Sequence, residues 1–97
     1  MHDTQWWLAV PEPGILLWAR LRLCADGAAE VLDAAGELVR FDDLDGGRHY
    51  LLSADYRAWD GLDADDAGVL GFDLAHIAPP ASVDERLLLR AMTLRLR

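Results

Sequence analysis

Residues 15–24 read Ile-Leu-Leu-Trp-Ala-Arg-Leu-Arg-Leu-Cys, and from Arg20 to Leu23 basic and apolar side chains alternate strictly. A period of two marks a β-strand, because successive side chains leave the backbone on opposite faces. One face carries Ile15, Leu17, Ala19, Leu21 and Leu23, the principal core side. The other carries Leu16, Trp18, Arg20, Arg22 and Cys24.

The flanking residues turn this strand into a meander. Upstream, Gln5–Val10 is rich in aromatic and branched residues, and Pro11-Glu12-Pro13-Gly14 ends it with fixed φ angles and a permissive glycine. Downstream, Asp26-Gly27 predicts a tight type I′ hairpin turn, which needs positive φ at both central positions. Ala28–Asp33 returns as a third strand. Ala34-Ala35-Gly36 turns again, and Glu37–Phe41 is a fourth strand with Val39 and Phe41 on one face.

The pattern then changes. Asp42 or Asp43 stands where a helix N-cap belongs, ahead of Leu44, Leu51 and Leu52, so a helix is predicted near 43–53. Gly46-Gly47 weakens it by about 1 kcal/mol per glycine relative to alanine. Residues 54–81 form an irregular, acidic connection. Within it Tyr56–Asp60 reads as a short strand, Asp63 caps a helical turn through Leu70, and Phe72–Ile77 is extended before Pro79-Pro80. Ser82 and Glu85 have capping-box spacing, and Val83, Leu87, Leu88, Ala91 and Leu94 follow at helical intervals, predicting a helix near 83–94. Thr93–Arg97 also alternates like a strand and echoes Arg20–Leu23. The expectation is one α+β domain over residues 1–97: a four-stranded antiparallel meander, two helices on one face, and the acidic connection between them.

Composition narrows the range of functions. At 97 residues and 53% apolar content, the chain can build one core and no second domain. A net charge of −8 argues against a surface that tracks phosphates, hence against direct nucleic-acid binding. All nine basic residues are arginine, and the chain has neither lysine nor asparagine, which points to a GC-rich bacterial genome. A single cysteine, Cys24, makes no internal disulfide, and no leader or membrane-spanning pattern is visible, so the expected compartment is the cytoplasm. The charge is uneven. Residues 26–73 hold thirteen acids against three arginines, while 74–97 hold two acids and four arginines.

The motifs that carry chemistry are mostly missing. Asp63, Asp65 and Gly68 match positions one, three and six of a calcium loop, but Ala67 and Leu74 stand where two further ligands belong. His2, His49 and His76 share no zinc-ligand spacing, Cys24 has no activating neighbour in sequence, and Gly46-Gly47 lacks the rest of a phosphate loop. No metal, cofactor or catalytic residue is therefore assigned. Two surfaces remain. Trp18, Arg20 and Arg22 share a strand face, and tryptophan and arginine are enriched at binding hot spots. Asp60, Asp63, Asp65 and Asp66 form the densest acidic cluster.

The class these features favour is a non-catalytic protein–protein interaction or accessory module. Its partner would be another protein or a second copy, met through a strand edge or the tryptophan face. An acidic inhibitor of a basic target, such as an immunity protein, antitoxin or nucleic-acid mimic, is the main alternative, because clustered carboxylates steer toward positive charge. A small enzyme using His49, His76, Cys24 and the aspartates is the other.

Overall fold

The computed structural model describes residues 4–81 and 84–96. The meander lies where the alternation placed it: β1 (Thr4–Glu12), β2 (Ile15–Leu23), β3 (Ala29–Leu32) and β4 (Leu38–Phe41), each antiparallel to the next. The α+β class holds, but the sheet has six strands rather than four. β5 (Arg57–Ala58) pairs with Trp7 and Leu8 of β1, and β6 (Thr93–Arg95) pairs with Ile15–Leu17 of β2. The spatial order is β4-β3-β2-β1-β5, with β6 beside the first part of β2 and β3 beside its last part.

The two hairpin signals behave differently from a simple reading of dipeptides. At Asp26-Gly27 only the glycine has positive φ, at 87°, and its N–H donates to the Cys24 carbonyl at 3.0 Å. This is a type I turn followed by a left-handed glycine, not the type I′ turn that Asp-Gly suggested. The Asp26 carboxylate favours it by accepting from the Ala28 N–H at 3.1 Å.

Three helices pack on the sheet among the described residues. α1 (Leu44–Ser53) starts at Asp43, whose carboxylate accepts the Gly46 N–H at 2.8 Å. α2 (Ala64–Leu70) starts at Asp63, and α3 (Glu85–Ala91) at Asp84. The predicted strand at Tyr56–Asp60 narrows to β5, which runs into a 3-10 turn at Trp59–Gly61. Phe72–Ile77, expected to be extended, contains a second such turn at Leu74–His76. The helix expected over 83–94 is α3, and the strand-like alternation prevails from Thr93 onward because the first part of β2 would otherwise lack a neighbour on that side. Val83, Ser82 and the capping box drawn through them lie outside the described residues.

The helices do not share one face. α1 places Leu51 against Trp7, Ala19, Leu21, Ala29 and Val31. On the other side, Ala67 of α2, Phe72, Leu88 of α3 and Met92 close over Leu8, Leu16, Trp18 and Leu32. The expectation of a single covered face fails because β1 and β2 carry large apolar groups on both sides. Each such face must be removed from water. No helix here is long and apolar enough to cross a membrane.

Gly47 has a role that its helix propensity hides. A Cβ at this position would lie 2.6 Å from Leu21 Cδ1, and Leu21 is fully buried, so the glycine lets α1 settle onto the sheet. Gly68 in α2 faces open space. Gly47→Ala should therefore lower stability by about 1–2 kcal/mol even though alanine favours the helix, because overpacking a filled core outweighs the propensity gain. Gly68→Ala should raise it by about 0.5–1 kcal/mol. Urea denaturation followed by circular dichroism checks both, and a gain from Gly47→Ala would refute the close-approach account.

Candidate interaction surface

Trp18 is only 1% exposed. Its ring meets Trp6 edge-on with centroids 6.1 Å apart and Trp59 at 5.3 Å, so it is a core residue and presents no surface to a partner. Arg20 is partly buried. Burial, then repulsion from Arg22, pushes its guanidinium below the usual pKa, with Glu85 and Glu30 opposing the shift. Its Nε has no hydrogen-bond partner among the described residues. Arg22 is exposed but engaged.

That engagement is a cross-strand ladder. Arg22, Glu30 and Arg40 sit opposite one another on β2, β3 and β4. Arg22 Nη2 donates to Glu30 Oε1 at 2.9 Å, and Arg40 Nη1 lies 3.7 Å from Glu30 Oε2. Arg40 also pairs with Asp26 and brings Nη1 to 4.0 Å from Cys24 Sγ. The Arg22 hydrogen bond holds the Glu30 carboxyl below its ordinary range, with help from the Arg22 and Arg40 charges. The Ala28 N–H does the same for Asp26, again with Arg40. The Arg20/Arg22 side of the sheet thus closes on itself.

The acidic cluster divides by role. Asp63 and Asp66 form a capping box at α2: Asp63 Oδ1 accepts the Asp66 N–H at 2.8 Å, and Asp66 Oδ2 accepts the Asp63 N–H at 3.4 Å. Sequence reading found the Asp63 cap but missed the box, because its far member is Asp rather than the usual Glu or Gln. Asp60 is the middle residue of the turn at Trp59–Gly61, and Asp65 lies in the first turn of α2. Among the described residues none of Asp55, Asp60, Asp63, Asp65 and Asp66 joins an ion pair. No three His, Cys, Asp or Glu side chains there are grouped to hold a metal. His49 Nδ1 sits 2.9 Å from the Asp45 carbonyl, His76 Nδ1 lies 3.6 Å from Asp73, and His2 is outside the described residues.

What the sequence did not show is a groove. β1 has nine residues, yet β5 covers only two of them, so the strand outlasts its neighbour on that side. A depression of about 700 Å³ opens there, with Ala9 and Val10 of β1, Leu52 near the end of α1, Asp55 and Tyr56 after it, Leu62 ahead of α2, and Asp66 and Leu70 within α2. A second, of about 460 Å³, continues past Val10 and Leu70 to Pro11, Pro13, Val69 and Leu96. Leu52 and Val69, at 57% and 88% exposure, are among the most exposed large apolar residues, and each lines one part of the groove. Asp55 has φ of 65°, the one left-handed non-glycine residue described, a conformation Asp tolerates better than most. Arg57 is the single cation lining the larger depression and pairs with neither Asp55 nor Asp66.

No family model matches this chain, nor does any curated protein or solved structure.

The ladder sets an acid limit. A carboxyl whose folded pKa is depressed stabilises the fold above its unfolded value, and that contribution is lost as pH falls through the folded one. Stability should therefore drop below the ordinary carboxylate range as Glu30 and Asp26 protonate. Urea midpoints measured down the acid limb should fall less steeply in Glu30→Gln than in the parent. Parallel curves would show that the ladder contributes nothing.

Proposed function

We propose that this chain is a non-catalytic protein-binding module that receives its partner in the groove between β1, β5 and α2. The supporting observation is that the groove combines an apolar lining with two carboxylates, Asp55 and Asp66, that form no ion pair among the described residues. Leu52 and Val69 are exposed apolar side chains that line two adjoining depressions sharing Val10 and Leu70, and apolar surface gathered around a concavity marks a contact site more than scattered apolar residues do. β1 supplies one wall from the hydrogen-bonded sheet. The Trp18, Arg20 and Arg22 surface does not enter this reading, since one residue is buried and the others are engaged or partly covered.

A second reading has its own support. The five aspartates at 55, 60, 63, 65 and 66, none of which joins an ion pair among the described residues, suit an inhibitor steered to a basic target by charge. The two readings differ in salt dependence. A steered inhibitor loses association rate strongly as ionic strength rises, whereas apolar docking keeps most of its affinity.

Leu52→Glu and Val69→Glu alter exposed positions and should leave the fold intact. Affinity capture from a bacterial lysate, identification of the retained protein and titration calorimetry with it give the test. Each variant should weaken the complex by about tenfold or more, the loss expected when a charge is set against an apolar contact. Unchanged affinity in both would remove the groove from the function.

A further inference from the structure

The occupant of the groove can be specified further, on the assumption that the groove is the binding site. The lining is mixed in a definite way. Val10, Leu62 and Leu70 provide apolar surface, and Asp55 and Asp66 provide negative charge beside it. Among the described residues Arg57 is the one cation in this lining, and it forms no ion pair with either carboxylate.

Three alternatives fit less well. A free metal ion would need converging ligands, and among the described residues no three candidate side chains gather. A second copy of this chain brings a net charge of −8 toward a site that is already acidic. A strand added by main-chain pairing needs a regular edge, but β1 has its register shift between Ala9 and Glu12, and Pro11 offers no N–H. Recognition must come from side chains. The groups that match are a guanidinium or ammonium for the aspartates and an apolar side chain for the floor, carried close together on one partner.

We infer that the groove binds an arginine- or lysine-bearing peptide segment of a partner protein, with an apolar side chain seated over Val10, Leu62 and Leu70 and its neighbouring cations set against Asp55 and Asp66. The apolar anchor supplies affinity through burial, and the charges supply selection, since an acidic segment would meet two carboxylates against a single arginine. Acid content alone would accept any cation. The apolar floor is what demands a peptide.

Amide shifts of the isotope-labelled full chain, followed by nuclear magnetic resonance, test this with four probes. These are a capped peptide alternating Arg with Leu, the same peptide with Leu replaced by Ser, the same with Arg replaced by Glu, and spermidine. The Arg/Leu peptide should shift the amides of Val10, Leu62 and Leu70. Its affinity should fall about fivefold when Leu becomes Ser, and about fivefold in the Asp55→Asn, Asp66→Asn double variant, the scale of two partly exposed charge contacts. Both asparagines keep the local geometry: Asn tolerates the left-handed region at 55 and can still accept the Asp63 N–H at 66.

Equal binding of the Glu/Leu peptide in the groove would overturn the cationic occupant while leaving a groove that binds proteins. Equal binding of spermidine would replace the peptide with a small polyamine. Shifts of the groove amides on simple dilution would replace it with a second copy. Shifts confined to other residues, or no binding of the Arg/Leu peptide, would also overturn it. The groove reading itself is decided separately, by the captured partner's response to Leu52→Glu and Val69→Glu.

Discussion

Strand β2 is bonded on both edges and packed on both faces, and the rest of the fold follows from satisfying it. β1 runs along one edge. β6 and then β3 share the other, so the central strand's backbone groups need two separate neighbours to be paired along its length. Its side chains need as much. Leu16 and Trp18 point one way, Ala19 and Leu21 the other, and all four are essentially removed from water. A sheet with two apolar faces requires a layer on each, which is why the chain sends α1 to one side and returns through α2 and α3 on the other. The closing strand serves the same end: Trp18 N–H donates to the Met92 carbonyl at 2.8 Å, and Leu96 N–H to Gly14 at 2.8 Å.

The strands of the meander were legible because period-two patterning and turn residues agree over residues 5–41. The helix at 43–53 was legible because Asp43 caps it. The layer arrangement was not. Trp6 and Trp7 are adjacent, both large, and necessarily on opposite faces, so a pattern that seeks one apolar side discards half the evidence. Gly47 shows the same limit from another direction. In sequence it only weakens a helix, while in space its missing side chain is the room that Leu21 fills. The residues of β5 read as a short strand over Tyr56–Asp60, but its length of two residues and its pairing with β1 depend on contacts far off in sequence. Of the surface residues singled out, Trp18 lies in the core and Arg22 in an ion ladder. The groove was invisible because its walls come from stretches of chain far apart in sequence.

The acidity has a similar explanation at the level of single residues. With no asparagine and few hydroxyl residues, aspartate supplies the oxygen that turns and caps demand. Asp26 accepts from Ala28, Asp33 from Ala35 and Glu37, Asp43 from Gly46, Asp63 from Asp66, Asp73 from Ala75 and Asp84 from Arg86. Asp55 takes a left-handed position that asparagine or glycine often fills. Much of the excess charge thus reports local backbone work in a chain whose composition excludes the neutral alternative. The sign of the whole molecule is a poor guide to its partner. Asp55 and Asp66 differ from the rest in standing beside apolar surface with no ion-pair partner among the described residues.

Those carboxylates and the groove share one cause. β5 stops after two residues because the chain must leave the edge of β1 to lay α2 across the face that Trp18 and Leu8 would otherwise expose. The departure leaves the end of β1 without a neighbour on that edge, and Asp66 of the box that starts α2 falls beside the gap. Pro11 and the irregular register make that end unsuitable for edge-to-edge pairing, the common hazard of an uncovered strand. A depression results that is guarded against sheet extension yet open to side chains. The same covering of the second face that stabilises the core therefore determines where, and by what chemistry, this chain can hold another.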